Sequence, residues 1–363
     1  MRMQRVVIKV GTNVITKESG LLDREIMLSI VDQVIALKCQ GIEVILVSSG
    51  SVAAGRSCLG LESCQSKILF ERQVLASVGQ VKLMGIYSEL FLEKGYHCAQ
   101  VLATKEDFRD RHHYLCMRNC FQVLLRDNII PIVNENDVVA VSELMFTDND
   151  ELAGLIASMS NVDTLFILTS VDGLFDRHPQ DGQAQLIRRV SADTHQLDKY
   201  ASPSSKGSTF GRGGMHTKCR VAKQLSSLGI ITHIVNGRVP GIILEVLKGK
   251  HFGTVFEVQK QKQVSGIKKW IAHSKGQEKG RVFLNECAEL LLKSNDRARS
   301  LLPVGITEVS GNFSKGDIIE VLDSKGGVMG YGLAQYGSES VREKLGEKNK
   351  KPLIHYDYLF LYP

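Results

Sequence analysis

The 363-residue sequence has no C-x-x-C pair among its eight cysteines, which lie mostly in apolar stretches. That spacing speaks against a thiolate metal centre or a disulfide framework and for reduced thiols. No apolar run approaches the roughly 18 residues of a membrane span. The opening stretch "MRMQRVVIKVGTN" offers only a short apolar run broken by Lys9, where a secretory leader needs a longer one. A cytoplasmic protein with no membrane partner is the expectation. Low-complexity tracts and solenoid-type repeats are also missing. No G-x-x-x-x-G-K-[ST] loop occurs, and Gly50 and Gly55 do not complete G-x-G-x-x-G, so neither a Walker loop nor a nicotinamide site is supported.

Charge of one sign is scarce outside one segment. The formal charge of +6 resides in residues 259–281, with seven basic and one acidic residue. Residues 1–258 are nearly balanced, and 282–363 have one excess acid. Segment 259–281 therefore reads as a solvated linker between two domains, neither with the basic excess of a dedicated nucleic-acid binder.

What is present is an ordinary globular composition, 43% hydrophobic and 23% charged, in a chain long enough for one large α/β domain and a smaller one. "RVVIKV" (5–10) and "IEVILVS" (42–48) are β-branched runs flanking a helical pattern from about Asp23 to Lys38. The alternation recurs through "HCAQVLA", a helix around 111–126, "IIPIVNE", a helix from about Asn149 to Ser160, and "DTLFILTS", with "IITHIVNG" and "GTVFE" as later strands. It predicts a mostly parallel sheet covered by helices. After the linker, short strands such as "KGDIIEVLD" and "VMGYGLAQY" with one helix near 285–293 predict a small β-rich domain.

Open parallel sheets bind ligands beyond the carboxyl ends of their strands, and the polar clusters fall there. Lys9 is either a strand-end lysine extending into solvent or an ammonium aimed at a phosphate. Ser48, Ser49 and Gly50 precede a small-residue helix start, which suits either an anion or a plain N-cap. Asp137, Asp148, Asn149, Asp150 and Glu151 are too many for capping alone. Their carboxylates could hold a metal, a substrate ammonium or nearby lysines. "GRGGMHTK" (211–218) reads as a flexible turn or as a backbone nest for phosphate with Lys218 as its charge.

In this order, "VVIKVGTNVIT", "ILVSSGSVAAGR", "SVGQVKLMGIYSELF", "NENDVV", "FTDNDELAGLIA", "LTSVDGLFD" and "GRGGMHTK" resemble the amino-acid kinase family. The stretch from "KKWIA" through "SLLPVGITEVSGNFSKGDIIEVLD" is similar to a PUA domain. The resemblance implies an α/β three-layer sandwich with a mostly parallel central sheet (1–258), a basic linker (259–281) and a C-terminal β-rich PUA-like domain (282–363). It also implies transfer of the ATP γ-phosphoryl group to the side-chain carboxylate of L-glutamate, with Mg²⁺ carried by ATP and no metal ligand assigned to the protein.

By matching motif positions, Lys9 and Lys218 are implied at the transferring group and Asp150 as the residue holding them. Ser49, Asp137 and Asn149 are implied at glutamate. Thr169, Ser170, Arg212, Gly213, Gly214, Met215, His216 and Thr217, with both lysines, are implied at ATP. The chemistry is consistent, because a carboxylate with an ordinary pKa of about 4.3 is already ionised and needs no general base. The family commonly has Thr-Asp and Gly-Thr-Gly-Gly where this chain has Thr169-Ser170 and Gly211-Arg212-Gly213-Gly214, and His216 replaces a usually small residue. Inhibition by proline through Asp148–Glu151 and assembly as a dimer or tetramer are further family expectations. Competing readings are another family member of N-acetylglutamate kinase, aspartokinase or uridylate kinase type, a proline sensor, and an RNA-binding PUA protein with a degenerate kinase domain.

Overall fold

The computed structural model describes residues 5–60, 69–139, 146, 148–177, 181–191, 214–258, 266–272, 276, 278–294, 299–348 and 350–362. The chain forms two compact units, residues 1–261 and 262–363.

In chain order, the first unit contains β1 (Arg5–Val10), α1 (Thr12–Ile15), α2 (Arg24–Cys39), β2 (Glu43–Ser48), α3 (Ser51–Cys58), α4 (Leu69–Leu92), β3 (Cys98–Ala103), α5 (Lys105–Arg109) and α6 (Arg111–Arg126). It continues with β4 (Ile130–Glu135), α7 (Asn149–Met159), β5 (Thr164–Thr169), β6 (Leu174–Phe175), β7 (Leu186–Ile187), β8 (Arg189–Val190), α8 (Met215–Ser227), β9 (Ile231–Asn236), α9 (Ile242–Leu247) and β10 (Thr254–Phe256). Eight strands form one sheet in the order β3-β4-β2-β1-β5-β9-β10-β8. Neighbours run parallel except β10 against β9. β6 and β7 form a separate two-stranded ribbon.

A strand covered on both faces needs an apolar residue at nearly every position, which "RVVIKV" and "EVILVS" supply. The twofold alternation of β1 divides those residues between two layers. Val6, Ile8 and Val10 join one core with Met27, Ile30, Val31 and Val34 of α2 and Leu83, Tyr87 and Phe91 of α4. Val7 and Lys9 take the other face, where Lys9 meets α7. The α2 positions follow the i, i+3, i+4, i+7 spacing of an apolar stripe, and Asp23 starts the helix by accepting from the Ile26 N–H.

α3 and α4 meet backbone to backbone. A Cβ on Gly79 would lie 1.8 Å from the Ser51 carbonyl oxygen, and one on Gly55 would lie 1.9 Å from that of Leu75. Only glycine permits this approach, which fixes the start of α3 against the middle of α4. α7 reaches α8 similarly, since a Cβ on Gly154 would meet Val221 at 2.8 Å.

The second unit holds α10 (Gly266–Ala272), β11 (Gly280–Leu284), α11 (Glu286–Lys293), β12 (Ile306–Gly311), β13 (Ile318–Leu322), β14 (Val328–Leu333), α12 (Ser338–Glu343) and β15 (Leu359–Leu361). Its sheet runs β12-β11-β13-β14-β15, parallel only between β11 and β13. Part of the basic segment read as a linker is thus a helix, with Trp270, Ile271 and Ala272 buried.

Candidate active site

β1 lies at the centre of the first sheet, with β2 and β4 on one side and β5 on the other. The chain leaves β1 toward both sides, and such a reversal opens a crevice beyond the carboxyl ends of the strands. A cavity of about 310 Å³ occurs there. Its wall takes Lys9 and Gly11 from the end of β1, Ser49–Ala53 after β2, Asn134 and Glu135 at the end of β4 with Asp137 beyond it, and Thr169 and Ser170 at the end of β5. Asp148 and Asn149 enter from the start of α7, and Lys218 from α8.

At the floor, Asp150 is fully buried and each of its oxygens holds a lysine: Oδ1 is 2.6 Å from Lys9 Nζ, and Oδ2 accepts from Lys218 Nζ at 2.7 Å. The lysines, themselves 5% and 6% exposed, come from opposite ends of the unit's sequence. Lys218 shares the buried face of α8 with Val221, Ala222 and Leu225, at helical spacing. Burial opposes ionisation of Asp150, but the two ammonium groups outweigh it and hold the carboxyl at about 2. Burial draws Lys9 below its ordinary value, against the pull of Asp150. For Lys218 the same burial cost is overcome by Asp150, and its value rises. Asp150 takes one side of each ammonium group, and both lysines also line the cavity.

Asp148 caps α7, its Oδ1 accepting from the Asp150 and Glu151 N–H groups at 2.9 and 3.1 Å. Burial first, then the neighbouring Asp150 charge, raises its carboxyl to about 6, with both lysines opposing. Its Oδ2 is buried with no hydrogen-bond partner among the described residues.

On the β2/β4 side, Asn149 Nδ2 donates to Ser49 Oγ at 2.7 Å and to Asn134 Oδ1 at 2.9 Å. Asn134 Nδ2 donates in turn to Gln80 Oε1 at 2.9 Å. Ser48 Oγ, 2.9 Å from the buried Tyr87 hydroxyl, braces the same loop. Arg56 of α3 and Arg72 of α4 complete that side of the wall.

The sequence matches the model of the amino acid kinase family over residues 4–236. The chain belongs to the amino acid kinase family. Residues 280–355 match the model of the PUA domain. Glutamate 5-kinase of Chlorobaculum tepidum is 50% identical over 360 residues, covering 99% of this chain and 98% of that one. Glutamate 5-kinase of Bacteroides thetaiotaomicron is 44% identical over 358 residues, covering 98% of each. Carbamate kinase from Giardia lamblia, bound to AMP-PNP in its structure, superposes with a TM-score of 0.51 at 18% identity over 71% of this chain and 99% of that one. That likeness shows the amino acid kinase fold, the three-layer arrangement expected from the sequence.

Of the residues singled out in the sequence, Lys9, Ser49, Asp137, Asn149, Thr169, Ser170 and Lys218 line one cavity, with Asp150 beneath it. Gly214, Met215, His216 and Thr217 form the cap and first turn of α8, outside the wall of this cavity, and Arg212 and Gly213 lie outside the described residues. Asn134, Gln80, Arg56 and Arg72 were not anticipated. The amide of Asn134 stands in the quoted "NENDVV", and Gln80 follows the mid-helix Gly79 of "SVGQ", a polar residue where two backbones touch.

Proposed function

We propose that this chain transfers the γ-phosphoryl group of ATP to the side-chain carboxylate of L-glutamate, giving L-glutamyl 5-phosphate, the first step of proline biosynthesis. The observation that carries this reading is Asp150 clamped between two buried lysines under a polar cavity at the sheet's carboxyl edge. Full-length identity to proteins named glutamate 5-kinase supports the choice of acceptor.

The reaction joins two anions, and its difficulty is electrostatic. A carboxylate oxygen attacks the γ-phosphorus, the bond to the β-bridging oxygen breaks, and ADP leaves with that electron pair. No proton has to move. Lys9 and Lys218 would bear on the transferring oxygens from fixed positions, because Asp150 uses one donor of each and leaves the others. Thr169 and Ser170, on the β5 side, would adjoin the nucleotide, with 212–218 along its phosphates. On the opposite side Ser49 would donate to a glutamate carboxylate, while Asp137 and Asn149 would receive the ammonium. Mg²⁺ prefers oxygen ligands. A nucleotide-borne ion fits a wall that includes Asp148, whose Oδ2 has no hydrogen-bond partner among the described residues. Such an ion would neutralise charge on the β- and γ-phosphate oxygens.

Incubating the protein with ATP, Mg²⁺, L-glutamate and hydroxylamine tests the reading, since hydroxylamine converts an acyl phosphate to a hydroxamate. Hydroxamate dependent on both ATP and glutamate is expected. Its absence from folded protein sinks the assignment.

Asp148 supplies a pH signature. Its carboxyl, raised to about 6, is ionised above that value and neutral below it. If the reaction needs the ionised form, kcat/KM falls as pH drops through about 6. Asp148→Asn, which keeps a capping oxygen, is expected to flatten that limb in a pH-rate profile. We also infer that L-proline inhibits through Asp148–Glu151. Activity undiminished at saturating proline would refute this.

A further inference from the structure

The acceptor side of the cavity is wired in one direction, and one of the groups that anchor it belongs to a residue with no place in its wall. Gln80 Oε1 takes one Nδ2 hydrogen of Asn134. Asn134 Oδ1 then accepts from the Asn149 amide and from the Glu135 N–H at 2.9 Å. With both hydrogens of Asn149 Nδ2 committed, to Asn134 and to Ser49 Oγ, its Oδ1 is the part of the amide left to accept from a ligand. Ser49 Oγ, having accepted from Asn149, keeps its hydrogen for a ligand acceptor. An amide is a donor at one end and an acceptor at the other, so Asn134, held at Oδ1 by the Glu135 N–H and at Nδ2 by Gln80, fixes the sense of the bonds that follow it.

We propose that Gln80 is a positioning residue for the phosphoryl acceptor: by accepting from Asn134 Nδ2 while the Glu135 N–H donates to Asn134 Oδ1, it holds that amide in place, so that the Asn134–Asn149–Ser49 chain presents an acceptor to the substrate's α-ammonium and a hydroxyl donor to its carboxylate. The inference rests on the glutamate reading above. Gly79 places the residue, since the glycine that seats α4 on the Ser51 carbonyl puts the next side chain beside Asn134. Gln80 touches neither Lys9, Asp150 nor Lys218 among the described contacts, so its influence falls on acceptor binding and leaves transfer alone.

Three full-length proteins test this: wild type, Gln80→Leu, which removes the acceptor at similar size, and Gln80→Glu, which restores a carboxylate acceptor for Asn134. Wild-type hydroxamate formation from L-glutamate tests the underlying reading first, and the variants are judged only relative to wild type. Gln80→Leu is expected to raise KM for L-glutamate roughly tenfold, the size of losing a partner for a buried polar group. Its kcat and KM for ATP are expected to stay near wild type, with at most a modest fall in thermal midpoint, and Gln80→Glu to return KM for L-glutamate to within about twofold. An unchanged KM for L-glutamate in Gln80→Leu overturns the proposal. So does an equal rise in both KM values with a lowered thermal midpoint, or failure of Gln80→Glu to rescue.

Discussion

Lys218→Ala and Lys9→Ala are each expected to lower kcat by at least about 10³-fold, with a much smaller change in KM for L-glutamate. Each lysine is buried, held within 2.7 Å of Asp150, and aimed at the cavity from a different element. Groups fixed in this way stabilise charge in the transition state without reorganising, and removing one such group costs on the order of 10²–10³ in rate. A cationic group on a transferring phosphoryl supplies up to about 10⁵. Arginine should not rescue either position, because a forked guanidinium does not fit where a point charge is seated on one carboxylate oxygen. Each alanine variant also leaves Asp150 with a single partner. Breaking a buried pair costs about 3–5 kcal/mol, so thermal unfolding should be followed alongside rate. Folded protein with wild-type kcat would remove that lysine from the mechanism.

Gly79→Ala is expected to have the largest effect of any single methyl group in the first unit. The added Cβ would sit 1.8 Å from the Ser51 carbonyl oxygen and 2.3 Å from the Gly55 nitrogen, both backbone atoms with nowhere to rotate. α3 and α4 must separate, and overpacking of this kind costs about 3 kcal/mol or more. For a unit of this size that corresponds to a fall in Tm of roughly 6–12 °C. Because Ser49–Ala53 line the cavity at the start of α3, the same displacement should raise KM for the acceptor. Calorimetry and steady-state kinetics on the variant check both. A Tm within a degree of wild type would show that the two helices have slack that their spacing denies.

These two results bear on parts of the protein that differ in how far the sequence discloses them. The strands were legible because β1, β2 and β5 carry short, mostly apolar runs, and the lysine near the end of β1 marked Lys9 for attention. Asp150 and Lys218 were legible as members of dense polar motifs. Their pairing was implied by likeness to the amino acid kinase family, and the structure places the two groups 2.7 Å apart. α4 was not recognised as a helix from its pattern. Val74 and Val81 are exposed, and glycines at 79 and 85 interrupt it, so its apolar residues do not mark one face. Gln80 and Asn134 went unseen for the same reason, since their meaning comes from a contact 54 residues apart in the chain. Asp137 drew notice in "NENDVV" because it carries charge, while the neutral amide three residues earlier connects α4 to α7.

The most direct test follows oxygen. L-Glutamate labelled with ¹⁸O in its side-chain carboxylate is turned over with ATP, Mg²⁺ and hydroxylamine, and the released inorganic phosphate is analysed by mass. Attack by the carboxylate makes its oxygen the bridge to phosphorus, and hydroxylamine then expels phosphate with that oxygen attached. One ¹⁸O per phosphate released is the expected result. Unlabelled phosphate released at the same rate would mean that water, not glutamate, receives the phosphoryl group, and would contradict the assignment.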